Sequence, residues 1–214
     1  MADLFDSLPP DTAPRSPAAR SAHQPLADRL RPKSLSEVIG QSEVLGDSGP
    51  LGAMLAAGSL SSLILWGPPG VGKTTIARLL ADQTDRAFVQ ISAIFSGVPE
   101  LRKVFDAARL RRDQGRGTLL FVDEIHRFNK AQQDSFLPHM EDGTILLVGA
   151  TTENPSFELN AALLSRAQVV VLKRLDLTDL ELLAQRAERE LGRALPLDGP
   201  ARDALLEMAD GDGR

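Results

Sequence analysis

The residues whose types and spacing could do chemistry sit in one stretch, Trp66 to Thr75, WGPPGVGKTT. Gly67, four further residues, then Gly72, Lys73 and Thr74 give the GxxxxGK[ST] spacing of a phosphate-binding loop. Gly67, Pro68, Pro69, Gly70, Val71 and Gly72 form a turn whose backbone N–H groups can point inward at an anion. The helix that follows, with Thr75 in its first turn, aims its positive end at the same phosphates. Lys73 is expected to reach the β and γ phosphates of ATP, and the Thr74 hydroxyl to ligate Mg²⁺.

Such a loop needs acid groups from a second strand, and Thr118 Leu119 Leu120 Phe121 Val122 Asp123 Glu124 supplies them. The apolar run suits a strand buried on both faces, with two carboxylates where it ends. Asp123 suits Mg²⁺, a hard cation that prefers oxygen. Glu124 suits the activation of a water for attack on the γ phosphate. An Asp-Glu pair after a strand is often only a helix cap, but a phosphate loop upstream favours the catalytic reading.

The elements that must position these groups follow the same logic. Leu63 to Trp66 reads as the strand before the loop, and Ile76, Leu79 and Leu80 give the next helix its apolar face. Further strands are expected at 87–91, 144–150 and 169–172, with helices at 50–58, 99–114, 130–141, 176–191 and 198–209. The helix over 99–114 carries Arg102, Lys103, Arg109, Arg111 and Arg112, with Arg116 beyond, against Asp106 and Asp113. It reads as a solvated face or, more sharply, as a contact for DNA phosphates. The 144–150 strand ends in Thr151 Thr152 Glu153 Asn154, polar groups where open parallel sheets bind ligands. Turn chemistry before Pro155 explains Asn154 but not the paired threonines.

At 214 residues the chain can hold one α/β core and a small appendage. It has no cysteine, so a disulfide framework is excluded. No apolar run approaches membrane-spanning length, and the acidic start, with Asp3, Asp6 and Asp11, does not suit a secretory signal. Cytoplasm is the default. A net charge of −5 argues against a uniformly basic nucleic-acid coat and leaves room for a local patch. The first 24 residues, rich in Pro, Ala and Ser, read as a disordered tail. Within it Ala2 Asp3 Leu4 Phe5 resembles the latter part of the motif by which bacterial proteins dock on the sliding clamp. The usual leading Gln is absent, and an initiator end with two stray apolar residues is the simpler reading.

The order of PLADRLRPKSLSEVIGQ, WGPPGVGKTT, LLFVDEIHRFNKAQQDSFLPHMEDG, GATTENPSFELNAALLSR and GDGR resembles AAA+ ATPases of the clamp-loader clade. Within the clade it is similar to the replication-associated recombination protein A family, also called MgsA, with the Werner-helicase-interacting ATPase as eukaryotic relative. The resemblance covers residues 25–214 and implies an α/β P-loop fold over 25–172, a parallel sheet flanked by helices. A partial all-α lid over 173–214 would follow. It further implies Arg31, Val38 and Ile39 around the adenine, a γ-phosphate sensor at Thr151 or Thr152 with Thr152 preferred, Arg166 as an arginine finger for the neighbouring subunit, and Arg214 as the lid's sensor arginine. Implied too are ATP and Mg²⁺, a homo-oligomer, single-strand-binding protein as a partner, and DNA at stalled forks or single-strand/double-strand junctions in the nucleoid. Family members continue past the position of Arg214 through more lid and an oligomerisation region, which points to a fragment. A clamp-loader subunit and a Holliday-junction branch-migration ATPase are the enzymatic alternatives, and a nucleotide-gated adaptor the non-enzymatic one. A phosphotransferase fits poorly, because no acceptor site is visible.

Overall fold

The computed structural model describes residues 25–214, so the acidic-hydrophobic cluster at Leu4 and Phe5 and the expected disordered tail lie outside the described residues. Two compact units divide at Arg31. In the first, the single helical turn Leu26–Arg29 precedes Arg31, whose Nε donates to Asp28 Oδ1 at 3.0 Å. The second, residues 32–214, carries the sheet.

Five parallel strands, β1 (Leu63–Trp66), β2 (Ala87–Ser92), β3 (Thr118–Asp123), β4 (Leu146–Thr151) and β5 (Gln168–Val171), lie in the order β2-β3-β4-β1-β5. Four longer helices follow in chain order: α1 (Lys73–Gln83), α2 (Val98–Asp113), α3 (Leu177–Leu191) and α4 (Gly199–Ala209). Period-2 alternation splits the strand residues between two cores. Leu63, Leu65, Leu119, Phe121 and Val148 face α1 through Ile76 and Leu80, while Ile64, Leu120, Val122 and Leu147 face α2 through Leu101 and Phe105. Burial on both faces is why these strands read as unbroken apolar runs.

The interior position of β1, between β4 and β5, matters most for function. Its neighbours are β4 on one side and β5 on the other, and the chain leaves it for β2 at the far edge, so its carboxyl end is a crevice of the kind in which open sheets bind ligands. Pairing of Trp66 with Thr151 and of Ser92 with Asp123 brings the ends of β1 to β4 level along one edge.

Three elements differ from expectation by more than a single residue at an end. The stretch 130–141 is two short helices, Lys130–Asp134 and Leu137–Glu141, because Pro138 has no N–H for the carbonyl of Asp134. β4 starts at Leu146, since the Thr144 N–H is taken by the Asp142 carboxylate at 2.8 Å. The helix from Pro50 ends at Ala56. Beyond β5, α3 starts with a reciprocal cap between Asp176 and Asp179, and Arg202 of α4 clamps it through Glu181 and Glu188 at 2.8 Å each. Among the described residues no helix is long and apolar enough to cross a membrane.

Candidate functional site

The loop after β1 is closed by backbone geometry that side chains with a Cβ resist. Gly70 (φ 73°) and Gly72 (φ 94°) are both left-handed, and Gly72 caps α1. Gly67 N–H donates to Thr151 O at 3.2 Å, which ties the loop to β4. Val38 packs against the hydrophobic core beneath the loop and would meet a Cβ at Gly72 at 3.9 Å. Ile39 lines a hollow with Glu37, Leu182 and Arg186. Arg31 belongs to the other unit and pairs with Asp28.

Lys73, first residue of α1, donates its Nζ protons to the carbonyls of Gly67 at 2.7 Å and Pro68 at 2.8 Å. Burial pulls its ammonium below the usual lysine range and Arg214 acts the same way, while the carboxylates of Glu124, Asp123 and Asp212 oppose them. These charges therefore converge on one place, although Arg214 lies 141 residues from Lys73 in sequence (214 − 73). Thr74 and Thr75 are half-buried in the first turn of α1, and Val71 is buried beneath it. Pro68 is half-buried and Pro69 exposed.

Asp123 ends β3, half-buried. Among the described residues no three His, Asp or Glu side chains group to cage a metal. Thr74 and Asp123 are the hard oxygen donors here, which suits Mg²⁺, a cation that keeps waters and takes phosphate oxygens for its remaining positions. Glu124 has left-handed backbone (φ 53°, ψ 43°), an unfavourable state for a residue with a Cβ. His126 was not among the sequence-expected residues. Its Nδ1 lies 3.5 Å from Glu124 Oε2 and 2.9 Å from Thr151 Oγ1.

The paired threonines separate. Thr151 is fully buried, and its hydroxyl is engaged by His126, Glu153 N–H and Glu153 O. Thr152 is half-buried at the strand end. Asn154 caps the next helical turn by accepting from Ser156 N–H, the turn chemistry expected of it.

The two arginines are both held by carboxylates. Arg214 donates to Asp212 at 2.9 Å and 3.2 Å, and Asp212, kept below the usual carboxylate range chiefly by that bond, packs against Gly70. Arg166 donates to Glu141 at 2.6 Å, 40% exposed, and braces on the Ala162 carbonyl at 3.1 Å. On α2, Arg112 is occupied by Asp142 and Thr144 (3.0 and 2.8 Å), and Arg109 by Asp106. Arg112 therefore braces the turn into β4. Arg102 and Lys103 are exposed on the same helix.

Residues 63–175, more than half of the chain, match the family of ATPases associated with various cellular activities. The chain belongs to the AAA ATPase family. It is 52% identical over 196 residues to the replication-associated recombination protein A of Escherichia coli K12, covering 89% of this chain and 44% of that protein. It is 44% identical to the ATPase WRNIP1 of Dictyostelium discoideum, over 91% of this chain and 23% of that protein. It thus spans less than half the length of these relatives. Among solved structures it superposes on the Thermotoga maritima RuvB Holliday junction branch migration motor, with TM-score 0.70 and 32% identity over 86% of this chain and 62% of that one. An α/β AAA fold implies nucleotide binding.

Proposed function

We propose that the chain is the ATP-hydrolysing part of an AAA+ enzyme that acts on DNA in replication-linked recombination, at stalled forks or single-strand/double-strand junctions. The observation that carries this reading is the geometry of the phosphate loop, left-handed at Gly70 and Gly72 and opening α1 at Lys73, at the sheet edge where β3 ends in Asp123. ATP phosphates would replace the Gly67 and Pro68 carbonyls as partners of Lys73 and gather the loop N–H groups. Mg²⁺, held by Thr74 and Asp123, would neutralise charge on the β and γ oxygens. Glu124 would accept the proton of the attacking water. Thr152 is the sensor, because its neighbour's hydroxyl is already consumed by His126 and Glu153. Arg214 would trade Asp212 for the γ phosphate, and Arg166 would trade Glu141 for the nucleotide of a neighbouring subunit.

In this reading α3 and α4 form the partial lid from residue 173, and Val38 and Ile39 border the adenine, with a role for Arg31 there a separate expectation. The assembly is a homo-oligomer in the cytoplasm at the nucleoid, working beside single-strand-binding protein, with docking of Leu4 and Phe5 on the sliding clamp a separate expectation. The likeness to a branch-migration motor favours a second reading, in which the substrate is a four-way junction. ATP turnover measured with blunt duplex, gapped duplex, recessed ends and four-way junctions separates them. Stimulation by gapped or recessed DNA is expected. Stimulation by four-way junctions alone selects the motor, and ATP binding without turnover on any DNA selects a nucleotide-gated adaptor.

A further inference from the structure

We propose that His126 is a positioning residue that couples the phosphate loop to Glu124 through the end of β4. The proposal rests on the reading of Glu124 as the base. The His126 side chain is 5% exposed, and its Nδ1 faces both Thr151 Oγ1 at 2.9 Å and Glu124 Oε2 at 3.5 Å. Thr151 is joined in turn to the loop, since its carbonyl accepts from Gly67 N–H at 3.2 Å. A contiguous path therefore runs Gly67, Thr151, His126, Glu124, from the residue that opens the phosphate loop to the carboxylate that would activate water.

The protons on this path can be assigned from its acceptors. The Thr151 hydroxyl has one proton, it accepts from Glu153 N–H at 3.0 Å, and it lies 3.2 Å from the Glu153 carbonyl, which can only accept. With that proton on the carbonyl, His126 Nδ1 is the donor to Thr151, and Glu124 is the second acceptor it faces. Nε2, buried without a partner, is then the bare nitrogen. The opposite tautomer would bury an N–H with no acceptor, the costlier arrangement. At 3.5 Å the Glu124 contact is too long for a good hydrogen bond. His126 thus orients the carboxylate and leaves it free to take a water. The left-handed backbone of Glu124 fits this role, because such a conformation persists only where the surroundings fix it. Here the fixing elements are the Arg127 N–H bond to the Glu124 carbonyl at 2.8 Å and the His126–Thr151 tie.

The test compares Glu124→Gln, His126→Ala, His126→Asn, His126→Gln and the Glu124→Gln/His126→Ala double variant in the full chain, reading steady-state kcat and KM together with the affinity for fluorescent MANT-ADP. His126→Ala should lower kcat about 10- to 100-fold, the scale of a misplaced reacting group, with KM and affinity within about twofold of wild type. His126→Asn, which keeps a nitrogen near the Nδ1 position, should recover most of kcat. His126→Gln, whose amide reaches the Nε2 position, should not. In the Glu124→Gln background His126→Ala should add nothing, because the group it orients is gone. Wild-type kcat in His126→Ala overturns the proposal, as does an undiminished loss in the Glu124→Gln background. If the alanine variant fails to fold, equal activity of the Asn and Gln variants overturns it. Full activity of Glu124→Gln removes the reading of Glu124 as the base, and the proposal with it.

Discussion

The phosphate loop and the two arginines hold positive charge in opposite ways. Lys73 is anchored by carbonyls of its own loop, six and five residues away, inside a backbone shaped by left-handed Gly70 and Gly72. Arg166 and Arg214 instead rest on carboxylates, Glu141 and Asp212, at exposed positions. Surface pairs of that kind contribute roughly 0–1 kcal/mol each, so exchanging the carboxylate for a phosphate costs little. In the proposed function the loop would be a fixed receptor, whereas the arginines would change partner when a nucleotide arrives.

The largest expected effect breaks that comparison at Arg166. An arginine finger accelerates phosphoryl transfer by roughly 10³ to 10⁵, about 4 to 7 kcal/mol of barrier. Arg166→Ala should lose turnover on that scale and keep ATP binding. Mixed with Glu124→Gln, it should regain part of the activity, because some sites would pair an intact Glu124 with a neighbour's Arg166. Continued inactivity after verified subunit exchange would mean that Arg166 is not a finger acting on a neighbour.

A smaller effect sharpens the comparison at Arg214. Asp212→Asn weakens the bond that occupies Arg214 without nucleotide, and ATP affinity should rise by a few fold, on the scale of a surface pair. The sign with pH follows. The Asp212 carboxyl is lowered, first by the Arg214 hydrogen bond, so its contribution is present above the ordinary aspartate range and lost as pH falls through the lowered value. Acid unfolding of Asp212→Asn should therefore lack that part of the wild-type pH dependence; an unchanged profile would show the pair to be inert.

The smallest effect concerns α2. Charge reversal at Arg102 and Lys103 should leave thermal stability unchanged and reduce the slope of DNA affinity against salt by about one per lost phosphate contact. Arg112→Glu should instead lower Tm, since Arg112 holds the Asp142–Thr144 turn. DNA binding unmoved by the first pair would make α2 a solvated surface.

What the sequence disclosed was decided by separation along the chain. The loop, the β3 carboxylates and the apolar strand runs are contiguous patterns, and each lies where its spacing predicts. His126 escaped notice because its partner Thr151 is 25 residues away, and a lone histidine after an acidic pair has no pattern of its own. Glu141 and the role of Arg112 were hidden for the same reason, being tertiary pairings of ordinary surface residues. The break at Pro138 was legible in principle, since proline inside a helical pattern removes a donor.

Nucleotide binding and turnover, measured side by side in Lys73→Ala and Glu124→Gln, test most directly the claim that this end of the sheet hydrolyses ATP. Lys73→Ala should lose ATP binding along with its phosphate partner. Glu124→Gln should bind ATP as wild type does and hydrolyse it at least about 100-fold more slowly, the scale of a positioned general base. Equal loss of binding in both variants would contradict the account by making Glu124 structural, and wild-type turnover in Glu124→Gln would contradict it by making Glu124 dispensable.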